Sequence, residues 1–321
     1  MAALLSGLKR YVGGEGSQRL ASLTAVVAVT DDGGSSGRLR DEFQILPPGD
    51  IRNCIVALSD HTALLSRLFQ FRFNGNGQLG GHSLGNLLLT ALTSVQGDFL
   101  KAVKAASDVL AIKGTILPAT TQNVHLVADL IDGTRVRGES SISRAGIPIA
   151  AVRLEPADCK PLPETLAAIR AADIVTAGPG SLFTSIVPNL LVPGVSEAMR
   201  STGALRVFIC NVMTQPGETP GFTASDHLRR VQELCGPDLF DVALVNSAMP
   251  SPTALRRYRR DGAEMVAADP ARFRSLGVEV HARRLMVEDE KVRHDPDKLA
   301  RQILSIQRRR SRSARGRARS A

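Results

Sequence analysis

The sequence predicts an α/β protein, Rossmann-like and doubly wound, with a mainly parallel sheet and an antiparallel β portion inserted near residues 115–155. Three observations predict it. Short apolar, β-branched runs alternate with helical patterns along most of the chain, as in a parallel sheet covered by helices. The run Leu23 to Thr30 (LTAVVAVT) is almost continuously apolar, which suits a strand buried on both faces. Between Val124 and Ser140 the pattern changes to strand, Asp132-Gly133 turn, strand; Gly supplies the positive φ such a hairpin turn needs.

Each element follows in order. Residues 2–11 read as a helix already under way, with no capping residue ahead of it. The strand over 23–30 ends in the small and acidic run Asp31 to Gly37, read as a loop. Asp50 begins a helix running to Asp60, either as its cap or as a ligand group. Ser83 caps a helix over 84–95, and another covers 98–110. After the hairpin, 149–154 adds a strand beside it. Alternation then resumes: helix 163–171, strand 173–177, helix 194–201, strand 205–210, helix 224–234, strand 241–246 and helix 253–261. Short strands over 264–267 and 278–282 lead to a last helix, 297–310, capped by Asp295. Residues 1–307 read as one domain and 308–321 as an Arg-rich disordered tail.

The formal net charge of the 321 residues is +9. The stretch Arg308 to Ala321 holds seven Arg and no acid, and removing those seven charges leaves +2 for the body. The body is therefore no nucleic-acid binder by charge, and a weak anionic contact is confined to Arg308 to Arg319. Aromatics are 4% with no Trp, which argues against carbohydrate-stacking clefts and single-stranded nucleic-acid platforms. Cys54, Cys159, Cys210 and Cys235 are too widely spaced for a zinc site and read as reduced, buried thiols of a cytoplasmic protein. No run is long and apolar enough to span a membrane, and residues 1–11 lack the order of a signal peptide. His61, His125 and His227 stand alone and read as packing or surface residues.

In parallel sheets ligands bind beyond the strand carboxyl ends, and three Gly- or Ser-rich stretches fall there. The first is Asp31-Asp32-Gly33-Gly34-Ser35-Ser36. Its glycines let backbone N–H groups approach a phosphate, and its carboxylates suit Mg²⁺. The second contains Gly180 and Ser181, where a strand meets a helix start. The third offers Asn211 and Thr214 as hydrogen-bonding groups and Glu218 as a base. Between them Arg52 can grip a phosphate in bidentate fashion, with Asn53 beside it. His82 reads as a phosphate contact or acid, or as a capping or core residue, with Asn86 one turn away. Asp31, Asp32 and His82 are the catalytic candidates if a reaction occurs.

TDDGGSSGRLRDEF, PPGDIRNCIVALSD, GHSLGNLLLTAL, GPGSLFTSIVPNLLVPG and NVMTQPGET occur in this order. They resemble the bacterial gluconeogenesis-factor family (YvcK-like), related to 2-phospho-L-lactate transferase (CofD). The resemblance implies a Rossmann-like core and a UDP-sugar ligand such as UDP-N-acetylglucosamine. It also implies a regulatory role in cell-wall synthesis and cell shape on gluconeogenic carbon, and leaves room for a homo-oligomer. It implies binding roles for Asn189, Tyr258 and Arg293. Relatives of this kind open with a strand and a Gly-rich turn ahead of the helix matched here by residues 1–11, so that strand and turn are expected to be missing. The transferase branch implies the alternative, Mg²⁺-dependent transfer from a nucleotide-diphosphate-linked substrate.

Overall fold

A computed structural model describes residues 1–14, 19–60 and 63–320; His61 lies outside the described residues. Helix α1 (Ala2–Leu8) buries Leu4, Leu5 and Leu8, and one 3₁₀ turn carries it to Tyr11. Strand β1 (Thr24–Val27) is the core of the apolar run over 23–30. The run from Asp31 is not all loop: helix α2 (Gly34–Phe43) begins inside it, with Gly33 as its amino cap. Two glycines and two serines disfavour a helix locally, but Ser35 and Ser36 are buried against other elements, and tertiary contact overrides propensity.

Helix α3 (Gly49–Leu58) follows Pro48, and Asp50 lies in its first turn without capping it. Helices α4 (Ala63–Gln70), α5 (Leu84–Gln96) and α6 (Phe99–Val109) come next. Ser83 and Asp98 cap the last two through Asn86 N and Lys101 N, as expected. Strand β2 (Thr115–Pro118) pairs parallel with β1, so the antiparallel portion starts later than residue 115. That portion is β3 (His125–Leu130), β4 (Arg135–Arg137), helix α7 (Glu139–Ala145) and β5 (Ile149–Glu155), with sheet order β4-β3-β5.

Helix α8 (Pro163–Ala171) and β6 (Ile174–Ala177) restart the alternation. A π-helical turn, Leu182–Ile186, runs into α9 (Val187–Leu191). Helix α10 (Val195–Ser201), β7 (Leu205–Ile209), α11 (Ala224–Cys235), β8 (Val242–Asn246) and α12 (Pro252–Arg260) follow. The short α13 (Pro270–Phe273) leads to β9 (Glu279–Arg283), which completes a parallel sheet ordered β6-β7-β8-β9. The strand expected over 264–267 is reduced to one bridge, Met213 with Met265. A small hairpin, β10 (Met286–Glu288) and β11 (Val292–His294), precedes helix α14 (Pro296–Ser320). Asp295 Oδ1 accepts the N–H groups of Asp297 and Lys298, the expected cap. Helix α14 continues along the Arg-rich run to Ser320, where Arg and Ala favour helix.

The Rossmann-like, mainly parallel class read from the sequence is thus the observed one, with the parallel strands in two groups. One apolar core joins both groups, with Val27, Ile51, Leu126, Phe183 and Phe208 at its centre. Between β1 and β6 lies a cavity of about 900 Å³, lined by residues of both strands. Among the described residues no single helix is long and apolar enough to cross a membrane.

Candidate functional site

The carboxyl ends of β1, β6 and β7 open on one side of the molecule, and the expected loops meet there. Asp31 Oδ1 accepts the Gly33 N–H at 2.9 Å, closing the turn that launches α2. Ser35 Oγ lies 3.0 Å from His82 Nδ1 and accepts from Asn86 Nδ2 at 3.0 Å. The hydroxyl therefore takes one proton and gives one, a satisfied buried network between α2 and α5. His82 is 5% exposed, and desolvation with the Arg38 guanidinium holds its pKa below the usual imidazole value. It joins α2 to α5 through this network.

Arg52 does not present a free fork. Its guanidinium donates to Ser83 Oγ at 2.6 Å and to Asn53 Oδ1 at 2.7 Å, bracing α3 against α5. Gly49 shows how closely α2 and α3 approach: a Cβ there would sit 2.4 Å from Ser36 Oγ and 2.5 Å from Asp31 Oδ2. The amino ends of α2, α3 and α5 are therefore gathered at one point.

The second and third loops are clamped together. Asn211 accepts from Gly180 N at 3.1 Å and donates to Gly180 O at 2.8 Å, and Gln215 Nε2 donates to Ser181 Oγ at 2.7 Å. Thr214 pairs with Glu264 through both N–H and hydroxyl, so its role here is structural. Glu218 is 4% exposed and accepts from Phe183 N and Thr184 Oγ1, both at 3.2 Å. It caps the π turn, and burial pushes its carboxyl above the ordinary range. Asn189 donates to Ser185 O at 2.8 Å while its Oδ1 has no partner. It lines the cavity between β1 and β6 together with Asp50, Asn53 and Gly180.

Tyr258 on α12 and Arg293 on β11 lie beside the third loop. The Tyr258 hydroxyl accepts the Val292 N–H at 3.1 Å, and Arg293 pairs with Asp289 at 2.7 Å on an exposed surface. They neighbour one another through Val292, and Tyr258 packs on Met213 of the third loop.

Sequence reasoning missed helix α7. Asp32 Oδ1 accepts the Ser140 N–H at 2.9 Å, and a second cavity of about 550 Å³ is lined by Asp31, Asp32, Glu139, Ser140, Ser143 and Arg144 among others. Burial first, then the charges of Asp31, Asp50 and Glu218, pushes the Glu139 carboxyl up to about 8. Asp50 is raised by burial and by Asp31. The signal in the sequence was Gly138 before Glu139: Gly138 has φ +94°, and a Cβ there would meet Asp32 Oδ2 at 1.9 Å.

A family model described as 2-phospho-L-lactate transferase CofD matches residues 1–286. The chain belongs to that family. Within it, the chain is 49% identical to a gluconeogenesis factor of Halalkalibacterium halodurans, over 95% of this chain and 92% of the relative. It is 45% identical to the gluconeogenesis factor of Bacillus subtilis, over 95% and 94%. A putative gluconeogenesis factor of Nostoc is 47% identical over 95% of this chain, which spans 66% of that longer relative. A crystal structure of a upf0052-family protein from Bacillus halodurans superposes with TM-score 0.89 at 48% identity, covering 94% of each chain.

Proposed function

We propose that the cleft binds a nucleoside-diphosphate sugar of the UDP-N-acetylglucosamine kind. The protein is then a UDP-sugar-responsive regulator, acting in the cytoplasm in support of cell-wall synthesis and cell shape on gluconeogenic carbon. One observation carries the reading: the amino ends of α2, α3 and α5 converge beyond the parallel strands, across a cavity shared with Gly180 and Asn189. Helix amino ends offer unpaired N–H groups to a diphosphate, and neighbouring carboxylates and amides suit sugar hydroxyls. The names of the relatives support the gluconeogenic role.

A second reading, an Mg²⁺-dependent transferase on a nucleotide-diphosphate-linked substrate, is favoured by the family model and by the carboxylates at the first loop. Among the described residues no group of three or more His, Cys, Asp or Glu is placed to hold a metal. Mg²⁺ needs only one or two carboxylates with ligand phosphates. Asp31 and Asp32 each commit one oxygen to a backbone N–H and keep the other. These residues fit a cation brought in with its nucleotide, where it would offset phosphate charge.

A thermal-shift titration with UDP-N-acetylglucosamine and with GDP, each with and without Mg²⁺, tests both readings, since a ligand of the native state raises Tm. A metal-independent shift with the UDP-sugar supports the regulator. An Mg²⁺-dependent shift with GDP, with nucleotide released from a linked donor, supports the transferase. No shift with either ligand removes the nucleotide site.

A further inference from the structure

We propose that the face formed by helix α4, the hairpin after it and the end of α2 binds a second copy of this chain in a two-fold dimer. The pairing does not depend on a bound nucleotide.

Helix α4 turns its apolar side the wrong way for a lone surface helix. It buries Phe69 and exposes Leu64, Leu65 and Leu68, with Leu64 64% exposed. Phe71, 49% exposed, continues the i, i+4, i+7 spacing counted from Leu64. Outward helix positions are ordinarily polar. Residues 71–83 then double back as a hairpin. Arg72 bridges to Ser83, and the Phe73 N–H donates to His82 O at 2.9 Å. Phe71 and Phe73 meet edge to face, 5.1 Å between ring centroids. Leu79 is exposed near the hairpin tip. The Arg38 guanidinium donates to Gly80 O at 2.7 Å, which lays α2 along the hairpin, and α2 ends in the exposed Phe43.

The composition is that of an interface between proteins. Between Asp60 and Asp98 the sequence holds no acid and no Lys, and just two Arg, Arg67 and Arg72, in a chain with 22% charged residues. Interface centres lose Lys, Asp and Glu and keep aromatic residues and Arg. Apolar patches of a few hundred Å² on a monomer mark such surfaces. A helix lying on a membrane carries clustered Lys and Arg beside its apolar side. This face instead carries Asp41 and Glu42, both exposed, next to Phe43.

The charges make the face complementary to itself. Its exposed cation, Arg67, is on α4, and its acids, Asp41 and Glu42, are on α2. A two-fold axis through the hairpin sets α4 of one copy against α2 of the other. Each Arg67 then meets the acids of the other copy, while leucines and phenylalanines meet between them. Two copies of a chain with formal charge +9 repel overall, so their contact requires a face of low and mixed charge, as here. A standard interface covers roughly 800 Å² per partner, with an apolar centre and a polar rim; three neighbouring elements are an expanse of that order.

Sedimentation equilibrium of the full chain over a range of concentrations tests the pairing. The wild type should approach twice the chain mass as concentration rises. Leu64→Asp changes an exposed residue in the first turn of α4, where an acid suits a helix. It should raise the dimer dissociation constant about tenfold or more, and melt with the wild type at concentrations where both are monomers. Arg67→Glu and the double variant Asp41→Arg/Glu42→Arg should each dimerise poorly alone. An equimolar mixture of the two should recover dimers, because every contact again pairs opposite charges; non-specific sticking gives no such recovery. A wild type that stays monomeric at every concentration overturns the proposal, as does a dimer that Leu64→Asp leaves intact or a mixture that recovers nothing. A monomeric wild type that floats with phosphatidylglycerol vesicles, while Leu64→Asp does not, overturns it in favour of a membrane.

Discussion

Asp32 Oδ1 accepts the backbone N–H of Ser140 at 2.9 Å, across 108 positions of sequence. This bond ties the turn after β1 to the start of α7 and so fixes the antiparallel portion over the parallel strands. Its other side is shaped by Gly138, whose missing Cβ leaves room for Asp32 Oδ2.

Asp32→Ala should therefore destabilise the protein by about 1.5–3 kcal/mol, the usual range for a hydrogen bond to a charged group. Asp32→Asn, which keeps an accepting Oδ1, should lose less. Gly138→Ala combines a positive φ with a collision and should cost at least about 1 kcal/mol. Urea unfolding of the three variants measures this, and an Asp32→Ala midpoint equal to wild type would mean that the bond does not form.

The network of Ser35, His82 and Asn86 makes a second prediction. Asn86 is 2% exposed and its Nδ2 donates to Ser35 Oγ. Asn86→Ala leaves buried polar groups unpaired and should cost about 1–3 kcal/mol in urea unfolding. The loss should be shared with Ser35→Ala, so that the double variant falls short of the sum of the singles; strict additivity would show that the two side chains do not interact.

Much of this was readable in the sequence because local chemistry decided it. Ser83 and Asp98 cap helices wherever such helices begin, and the apolar runs into Val27, Ala177, Ile209 and Asn246 form strands, the last two buried almost throughout. The errors lie where distant contacts decide. Helix α2 starts at Gly34 because Ser35 meets His82 and Asn86, residues far along the chain. Arg52 reads as a phosphate fork until Ser83 occupies it. Glu139 carries no motif, and its altered acidity arises from Asp31, Asp50 and Glu218, which only the fold brings near.

A third prediction concerns acid. His294 is 6% exposed, its Nε2 has no partner, and burial with the chain's amino-terminal charge lowers its pKa to about 4. The unfolded chain binds this proton near the ordinary value of about 6.5, the folded chain only near 4. Stability from this group is complete above about 6.5 and is lost as pH falls toward 4. Melting temperature should decline across that window, and His294→Asn should flatten the decline. An unchanged slope in the variant would place the proton uptake elsewhere.

The central claim is that the strand-end cleft holds a nucleotide sugar, and titration calorimetry of UDP-N-acetylglucosamine against wild type, Asp31→Ala and Asn189→Ala tests it most directly. Asn189 lines the cavity and its buried Oδ1 has no partner, and Asp31 keeps its Oδ2 over Gly49. Saturable binding by the wild type, weakened about tenfold or more in both variants at a temperature where all three proteins are folded, is the predicted result, since a lost hydrogen bond to ligand is worth about 1.5 kcal/mol. Equal dissociation constants for all three proteins would contradict the placement of the site.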